Sequence, residues 1–548
     1  MKSKVSIFLL VFIIINEMSF AGSQGNGCTV IAVGKKASAD GSVMVSHTGC
    51  CDECRVHVVP AQTFKKGTLA PVYYGLQDVR KPLDNYGEVI GYIPQVEKTY
   101  AYLHTGYPHI NEHQLAIGES TISQREELKT DRKTNRQIMT IEQAMLFALQ
   151  RCKTAREALE LITSLMEKYG FLPSCVNDAE AVAIADPNEV WILEIFSVGP
   201  GWIPESGKPG AIWAARRMQD DHVTIIPNWS IIKEIDLANP DFKASKNYKE
   251  VAIEHGWYNP KSGKPFIWQE AYSPLPREWA IGRFWLFYSR VAPHFKKWPN
   301  KELTGPFKGY DAYHQYIEPI SFYPFSVKPE KKLSVKDVIA FQRSVFEGTI
   351  YDMTADIDWY VSDGKGGMSK SPLATPFPTK EMRKLLDITW RRNVSRGGYG
   401  MVAQLRSWLP GPIGGVYWFY LDNQYVSTYV PIYAGVQEIS SLYKTYNPDE
   451  FDENSARWII DLVDNLLYLK WQEAIKDLRA VRNPLEAGFF EKQADIELKA
   501  LELYKKEPAL AKKFLTNYTN ECVERTMEMY RKLGRLLITK YTNNKQGL

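Results

Sequence analysis

Cys28 stands at the head of a strand-like run, Thr29-Val30-Ile31-Ala32-Val33. Directly before it lies a tract of small and polar residues, Gly22-Ser23-Gln24-Gly25-Asn26-Gly27. A cysteine that becomes the first residue of a chain carries both a nucleophile and a base. A free α-amino group has a pKa of about 8 and a free thiol about 8.5, so modest shifts leave thiolate and neutral amine near pH 7. The thiolate can attack a carbonyl and form a thioester. The amine can move protons to the leaving group and activate water for the second step. This chemistry requires cleavage after Gly27. Small residues let the backbone before the cut fit a tight site, and the Cys28 thiol could itself attack the Gly27 carbonyl.

The residues upstream fit an export signal. Lys2 and Lys4 precede an almost continuously apolar run from Val5 to Ile15, and Ser19-Phe20-Ala21 places small residues where signal peptidase reads them. The apolar run, about 11 residues, is shorter than the roughly 20 of a membrane span. The expected organisation begins with a signal peptide over 1–21 and a propeptide over 22–27. The remaining protein is then secreted or periplasmic, with no stable membrane span.

The other cysteines leave more than one reading open. There are seven in all: Cys28, Cys50, Cys51, Cys54, Cys152, Cys175 and Cys522. An odd number in an exported chain means that at least one is unpaired or intermolecular, with disulfide or structural roles expected for the rest. Cys50, Cys51 and Cys54 lack the second matching pair that a four-ligand zinc site usually needs. Cys51-Asp52-Glu53-Cys54 has redox spacing but no clear βαβ setting. No metal and no cofactor is expected. The 67 Lys and Arg exceed the 63 Asp and Glu by only 4. No basic tail or stripe accompanies that balance, which excludes a nucleic-acid partner. The 15 Trp and 31 Tyr suit aromatic-lined clefts without identifying a ligand.

The elements that must position Cys28 follow from patterning. Thr29 to Val33 and Val43 to Val45, joined by a turn through Gly41, read as a hairpin. Its antiparallel return brings Ser46-His47 beside Cys28. Arg55 to Pro60 reads as a strand. Glu142 to Tyr169 reads as a helix pair broken near Thr154, from apolar spacings of three and four. Strands are expected at Ala181–Ala185 and Val190–Ile195 across an Asp186-Pro187-Asn188 turn, then at Trp213–Arg217 and His222–Ile226. Pro240 to Glu330 reads as a loop-rich insertion. Val335 to Arg343 returns to helix. Val402–Leu405, Gly415–Phe419 and Val426–Pro431 read as strands. Helical stripes follow at Ala456–Lys470, Glu491–Tyr504 and Glu521–Lys540. Strands separated by helix pairs argue for a layered α+β core, here over 28–440 with the insertion around 240–330, and a helical extension over 441–548.

The stretch "GCTVIAVGKKASADGSVMVSH" at 27–47 resembles the mature start of the N-terminal-nucleophile dipeptidases of peptidase family C69. More distantly it resembles penicillin V acylase and bile salt hydrolase. "TGYPHINEHQLAIGEST" at 105–121, "EAVAIADPNEVWILEI" at 180–195 and "WAARRMQDDHVTIIPN" at 213–228 are similar to successive segments of the same family. So are "YDMT" at 351–354, "VAQLRSWLPGPIGGVYWF" at 402–419 and "YVPIYAG" at 429–435. The resemblance implies a four-layer αββα fold, self-processing, and metal-free amide hydrolysis by a cysteine dipeptidase with Cys28 as nucleophile. The alternatives are an acylase for nonpeptide amides and an inactive surface binding protein on the same scaffold.

The resemblance also suggests roles for other residues. Asn111 matches an asparagine that helps hold the oxyanion in related amidases. Glu180 could orient the amine or a substrate ammonium, and Asp186 organises its turn. Arg216, Arg217, Arg406 and Arg55 are candidates for a substrate carboxylate or for shaping the cleft. Family members commonly carry an acidic residue after the first hairpin, where this chain has Ser46-His47-Thr48-Gly49-Cys50-Cys51. Asp52 could replace that acid, and His47 could position the terminal amine. The expected partner is a small peptide or amide, with a homo-oligomer left open.

Overall fold

The computed structural model describes residues 27–49, 53–76, 78–83, 86–130, 132–133, 135–174, 177–274, 278–293, 323–349, 351–388, 393–394 and 397–543. The expected signal peptide, all of the propeptide except Gly27, and Cys50, Cys51, Asp52 and Cys175 lie outside the described residues.

Two antiparallel sheets stack between helical layers. The first has six strands, in the order β12 (Val223–Ile226), β1 (Val30–Val33), β2 (Val43–Gly49), β16 (Tyr399–Leu405), β17 (Val416–Leu421) and β18 (Val430–Tyr433). The second has eight: β13 (Phe242–Ala244), β11 (Ile212–Arg217), β10 (Val190–Phe196), β9 (Ala179–Ala185), β8 (Ala116–Ile122), β7 (Pro108–Asn111), β6 (Tyr102–His104) and β3 (His57–Val59). Two ribbons, β4 (Leu69–Tyr74) with β5 (Glu88–Pro94) and β14 (Tyr360–Ser362) with β15 (Met368–Lys370), stand apart from both. This is the αββα architecture that the resemblance implies.

Period-two alternation explains how the second sheet serves two cores. Ala181, Ala183 and Ala185 of β9 face the first sheet. Val182 and Ile184 of the same strand face helices α1 (Ile141–Arg151) and α2 (Ala155–Tyr169). The helix break sits where the sequence puts it. Thr154 and Glu157 form a capping box that starts α2, and Gly170 ends it at φ 75°. Small residues on the inner face let the sheets approach closely. At Gly118 of β8 a Cβ would lie 2.4 Å from the Ser46 carbonyl oxygen of β2.

The stretch from Pro240 to Glu330 is more regular than expected. Its described part holds α3 (Glu250–Glu254), α4 (Trp268–Tyr272) and α5 (Glu278–Val291). The physical reason is burial on every side. Arg283, Phe284, Leu286, Phe287 and Tyr288 are all nearly inaccessible, and a helix covered all round shows no apolar stripe. Helix α6 (Val335–Gln342) lies on the first sheet. Three short helices, α7 (Lys380–Leu385), α8 (Gly411–Gly414) and α9 (Ser441–Lys444), occupy connections. The C-terminal stripes belong to α10 (Ala456–Leu467) and to a hairpin of two long helices, α11 (Trp471–Lys506) and α12 (Pro508–Tyr541). α11 runs through Pro484, which interrupts the sequence pattern without ending the helix. Among the described residues no helix is long and apolar enough to cross a membrane.

Cys54, Cys152 and Cys522 are buried thiols rather than half-cystines. Burial pushes the thiols of Cys152 and Cys522 up to about 12 and that of Cys54 higher still, which makes them inert packing groups.

The contact at Gly118 yields a stability test. Gly118→Ala should cost about 1–3 kcal/mol through overpacking, read as a lower midpoint at unchanged slope in urea unfolding.

Candidate active site

The hairpin of β1 and β2 builds the site by strapping side chains onto backbone. The Thr29 N–H donates to Thr48 Oγ1 at 2.8 Å, and the Ile31 N–H donates to Ser46 Oγ at 3.0 Å. Ser46 and Thr48 are thereby spent on holding β1. His47 Nδ1 instead lies 2.8 Å from the carbonyl oxygen of Glu119 on β8, a separation that suits an Nδ1–H donor. The Cys28 thiol, a His47 ring nitrogen and a Glu119 carboxyl oxygen all lie within 4.8 Å of one another, and all three residues are buried. Sulfur, imidazole and carboxylate are also donors that a divalent ion can take.

Burial sets the protonation states. It holds the His47 imidazole well below the usual histidine range, reinforced by His109, so the ring is neutral at pH 7. Burial pushes the Glu119 carboxyl up to about 7, against hydrogen bonds with Glu180, Thr121 and Tyr107. The strand register explains the Glu180 contact. Glu180 of β9 sits opposite Thr121, two residues along β8 from Glu119 and on the same face.

Arg283 of α5 grips the backbone on both sides of Cys28. Its Nη1 donates to the Gly27 carbonyl at 3.2 Å, the Cys28 carbonyl at 2.8 Å and Thr29 Oγ1 at 2.6 Å. Its Nη2 donates to the Pro227 carbonyl at 2.7 Å and Asn228 Oδ1 at 2.9 Å. Asn228 adopts a left-handed φ of 62°. Its N–H donates to Ser120 Oγ at 3.0 Å, and Ser120 Oγ donates to the Cys28 carbonyl at 3.5 Å.

A thiol beside a neutral imidazole and a proton-accepting carboxyl, with a guanidinium on the preceding carbonyl, is equipped for acyl transfer. The model of "Peptidase family C69" matches residues 27–483. The chain belongs to peptidase family C69. By family it is a hydrolase acting on peptide or amide bonds. It is 23% identical over 457 residues to a probable dipeptidase of Latilactobacillus sakei, covering 79% of each chain. It is 24% identical over 318 residues to probable dipeptidase B of Lactococcus lactis subsp. lactis, which is 58% of this chain and 55% of that protein. A dipeptidase of Bifidobacterium longum is 27% identical over 227 residues, 38% of this chain and 36% of that one.

In this C69 chain the structure brings Gly27, Cys28, His47 and Glu180 together. Asp52 lies outside the described residues, and the other expected residues are held by partners of their own. Asn111 uses its amide as a staple: Nδ2 donates to the carbonyls of Leu149 at 2.9 Å and Cys152 at 2.8 Å, and Oδ1 accepts from the N–H groups of His113 and Leu115. Both of its amide hydrogens are therefore occupied at the end of α1. Asp186 organises its turn, accepting from the N–H groups of Asn188 and Glu189, and it also caps α2 through Ala155. Arg55 forms a close ion pair with Glu53 and donates to the Lys81 carbonyl.

Strand direction separates three further arginines from the thiol. Cys28 precedes β1, whereas just after β1 the Gly34 N–H donates to the His222 carbonyl and the Lys36 N–H to the Asp220 carbonyl. Asp220 is the partner of Arg217, which also pairs with Glu189. Arg216 lies over the rings of Phe242 and Phe325. Six residues of extended chain, roughly 20 Å, separate that end from Cys28. Arg406 also lies at the far end, because Leu405 pairs with Val43 while Met401 pairs with His47. Its guanidinium bonds Glu497 at 2.6 Å and the carbonyls of Gly414 and Ile413.

Arg283, Glu119, Ser120 and Asn228 went unnoticed in the sequence. Their available signal was polarity inside otherwise apolar stretches: Glu119-Ser120-Thr121 in a buried strand and Arg283 in the middle of an aromatic helix.

The placement gives a paired expectation for hydrolytic activity. Arg283→Met should lower kcat/KM at least about 100-fold, in the range for losing an oxyanion donor. Arg216→Met should leave it within about 3-fold, as for a residue outside reach of the reacting atoms. Steady-state assays of both variants check this.

Proposed function

We propose that this chain is a cysteine-type dipeptidase of the N-terminal nucleophile class, activated by removal of its propeptide after Gly27. The observation that carries the reading is the Arg283 guanidinium bonded to the carbonyls of both Gly27 and Cys28. The thiol that would attack the first of these carbonyls sits beside His47 and Glu119. An attack on the Gly27 carbonyl places negative charge on an oxygen that already faces a cationic donor. A preorganised donor of this kind is worth about 3–4 kcal/mol of barrier.

Once residues up to Gly27 are gone, the same Nη1 faces the position that a substrate carbonyl would take. The Cys28 thiolate attacks that carbon, and the tetrahedral oxyanion is held by Arg283. The Cys28 α-amine delivers a proton to the leaving nitrogen. Water then attacks the thioester, giving its proton to the amine, and the thiol is regenerated. Dipeptides are the favoured substrates because the named relatives are dipeptidases or probable dipeptidases. The apolar leader supports export to the periplasm or medium.

Intact mass and N-terminal sequencing of the exported protein test this, with Cys28→Ala beside wild type. Wild type should begin at Cys28 and the variant at Gly22. Wild type beginning at Gly22 would overturn the terminal-nucleophile mechanism. Hydrolysis of acyl-amides but not of unblocked dipeptides would replace the dipeptidase assignment with an acylase.

A further inference from the structure

In the mature enzyme the Cys28 α-amine is the base, but during propeptide removal that nitrogen is still the amide of the Gly27–Cys28 bond. An amide nitrogen takes up no proton at neutral pH, so the first cut needs another acceptor. Two groups beside the thiol could serve, His47 and Glu119. His47 bonds the Glu119 carbonyl through Nδ1 at 2.8 Å and keeps a buried Nε2 without a hydrogen-bond partner among the described residues, but a proton taken there makes a buried cation near Arg283, whereas a proton taken by the Glu119 carboxylate leaves a neutral group. Resting on the self-processing reading above, the geometry points to the Glu119 carboxylate, backed by Glu180, as the group that takes the Cys28 thiol proton when the propeptide is removed.

The step balances without a further reactant. The S–H proton passes to the Glu119 carboxylate as sulfur bonds to the Gly27 carbonyl carbon, and the carbonyl electron pair moves onto the oxygen held by Arg283. Collapse of that intermediate breaks the C–N bond, and Glu119 returns the proton to the departing Cys28 nitrogen. The product is a thioester between Gly27 and Cys28 with a free α-amine. Water then hydrolyses the thioester, and the new amine takes the proton released.

The surroundings suit a reversible acceptor. Glu119 meets Glu180 from β9, Thr121 from its own strand and Tyr107 from the turn before β7, with Glu142 of α1 adding a like charge. His47 of β2 is neutral and backed by His109. Arg283 of α5 lies on the Cys28 carbonyl. A carboxyl raised by burial to about 7 is half ionised at neutral pH and can both take and return a proton.

The full chain, translated cell-free, provides the test, with cutting at Gly27–Cys28 followed by intact mass across pH 5 to 9. In wild type the rate should rise with pH and level off above about 7, because the ionised carboxylate is the active form. Glu119→Gln should cut at least about 100-fold more slowly with a flat pH profile. Hydroxylamine, which cleaves thioesters, should not restore it, since the blocked step precedes the thioester. Wild-type cutting in Glu119→Gln overturns the assignment, as does wild-type release on adding hydroxylamine. Loss of the pH dependence in His47→Gln instead of Glu119→Gln does so too. If Glu119→Gln fails to fold, Glu119→Asp decides. A slowed but still pH-dependent cut supports the assignment, and an unchanged rate and profile overturn it. A wild-type chain that never cuts overturns the self-processing reading itself, whereas normal wild-type cutting with an indifferent Glu119 overturns only this inference.

Discussion

One buried guanidinium holds Cys28 in place. Arg283 reaches three successive residues, Gly27, Cys28 and Thr29, and also the loop after β12 at Pro227 and Asn228. A charge taken out of water is costly unless its hydrogen bonds are met. Five acceptors converging on Arg283 meet them, three from the residues leading into β1 and two from those following β12. These strands are neighbours in the first sheet, with Val30 opposite Ile226. The clamp therefore fixes where β1 begins, and with it the direction of the Cys28 side chain. The rest of the site depends on that direction. A one-residue slip of β1 would turn Cys28 away from His47 and Glu119.

The second sheet supplies the chemistry that the first cannot. His47 comes from β2, but its hydrogen-bond partner and the nearby carboxyls come from β8 and β9. The sheets must stack closely for this, and Gly118 with the alanines of β9 makes the approach possible. Behind the first sheet, α6 completes the support: Gln342 Nε2 donates to the Met401 carbonyl at 3.2 Å and reaches the His47 carbonyl at 3.4 Å. The long C-terminal helix α11 adds carboxylates where the core has cations, with Glu486 on Arg343 and Glu497 on Arg406. The extension thus neutralises arginines of the core as well as covering its sheet.

Much of this scaffold was legible in the sequence because it rests on local rules. The hairpin, the helix pair with its Thr154 cap and the Asp186 turn each depend on neighbours within a few residues. The site was only half legible. Cys28 and His47 could be paired because a hairpin joins them, and Glu180 because its segment resembles a known one. Arg283 lies 255 positions from Cys28, in a helix whose all-round burial erases periodicity. Residue type also misled where strand direction decides. Arg216, Arg217 and Arg406 have the right chemistry for a carboxylate, yet each sits at the end of its strand away from the thiol, paired into the scaffold or stacked on aromatic rings.

On the proposed self-processing reading, the clamp also orders folding and chemistry in time. Arg283, Glu119 and Cys28 come from α5, β8 and the start of β1, which meet only when both sheets have stacked. In an unfolded chain the Gly27 carbonyl has neither its cationic donor nor a nearby carboxyl to accept the thiol proton. A cysteine after a glycine is then an ordinary peptide, and the barrier to acyl transfer is that of an unassisted amide. Folding supplies both groups at once. On that reading, cleavage would remove the residues whose carbonyl occupied the Arg283 donor, and the site that makes the cut would become the site that receives substrate. With a guanidinium on the bond before Cys28, the scaffold would make folding the condition for activation.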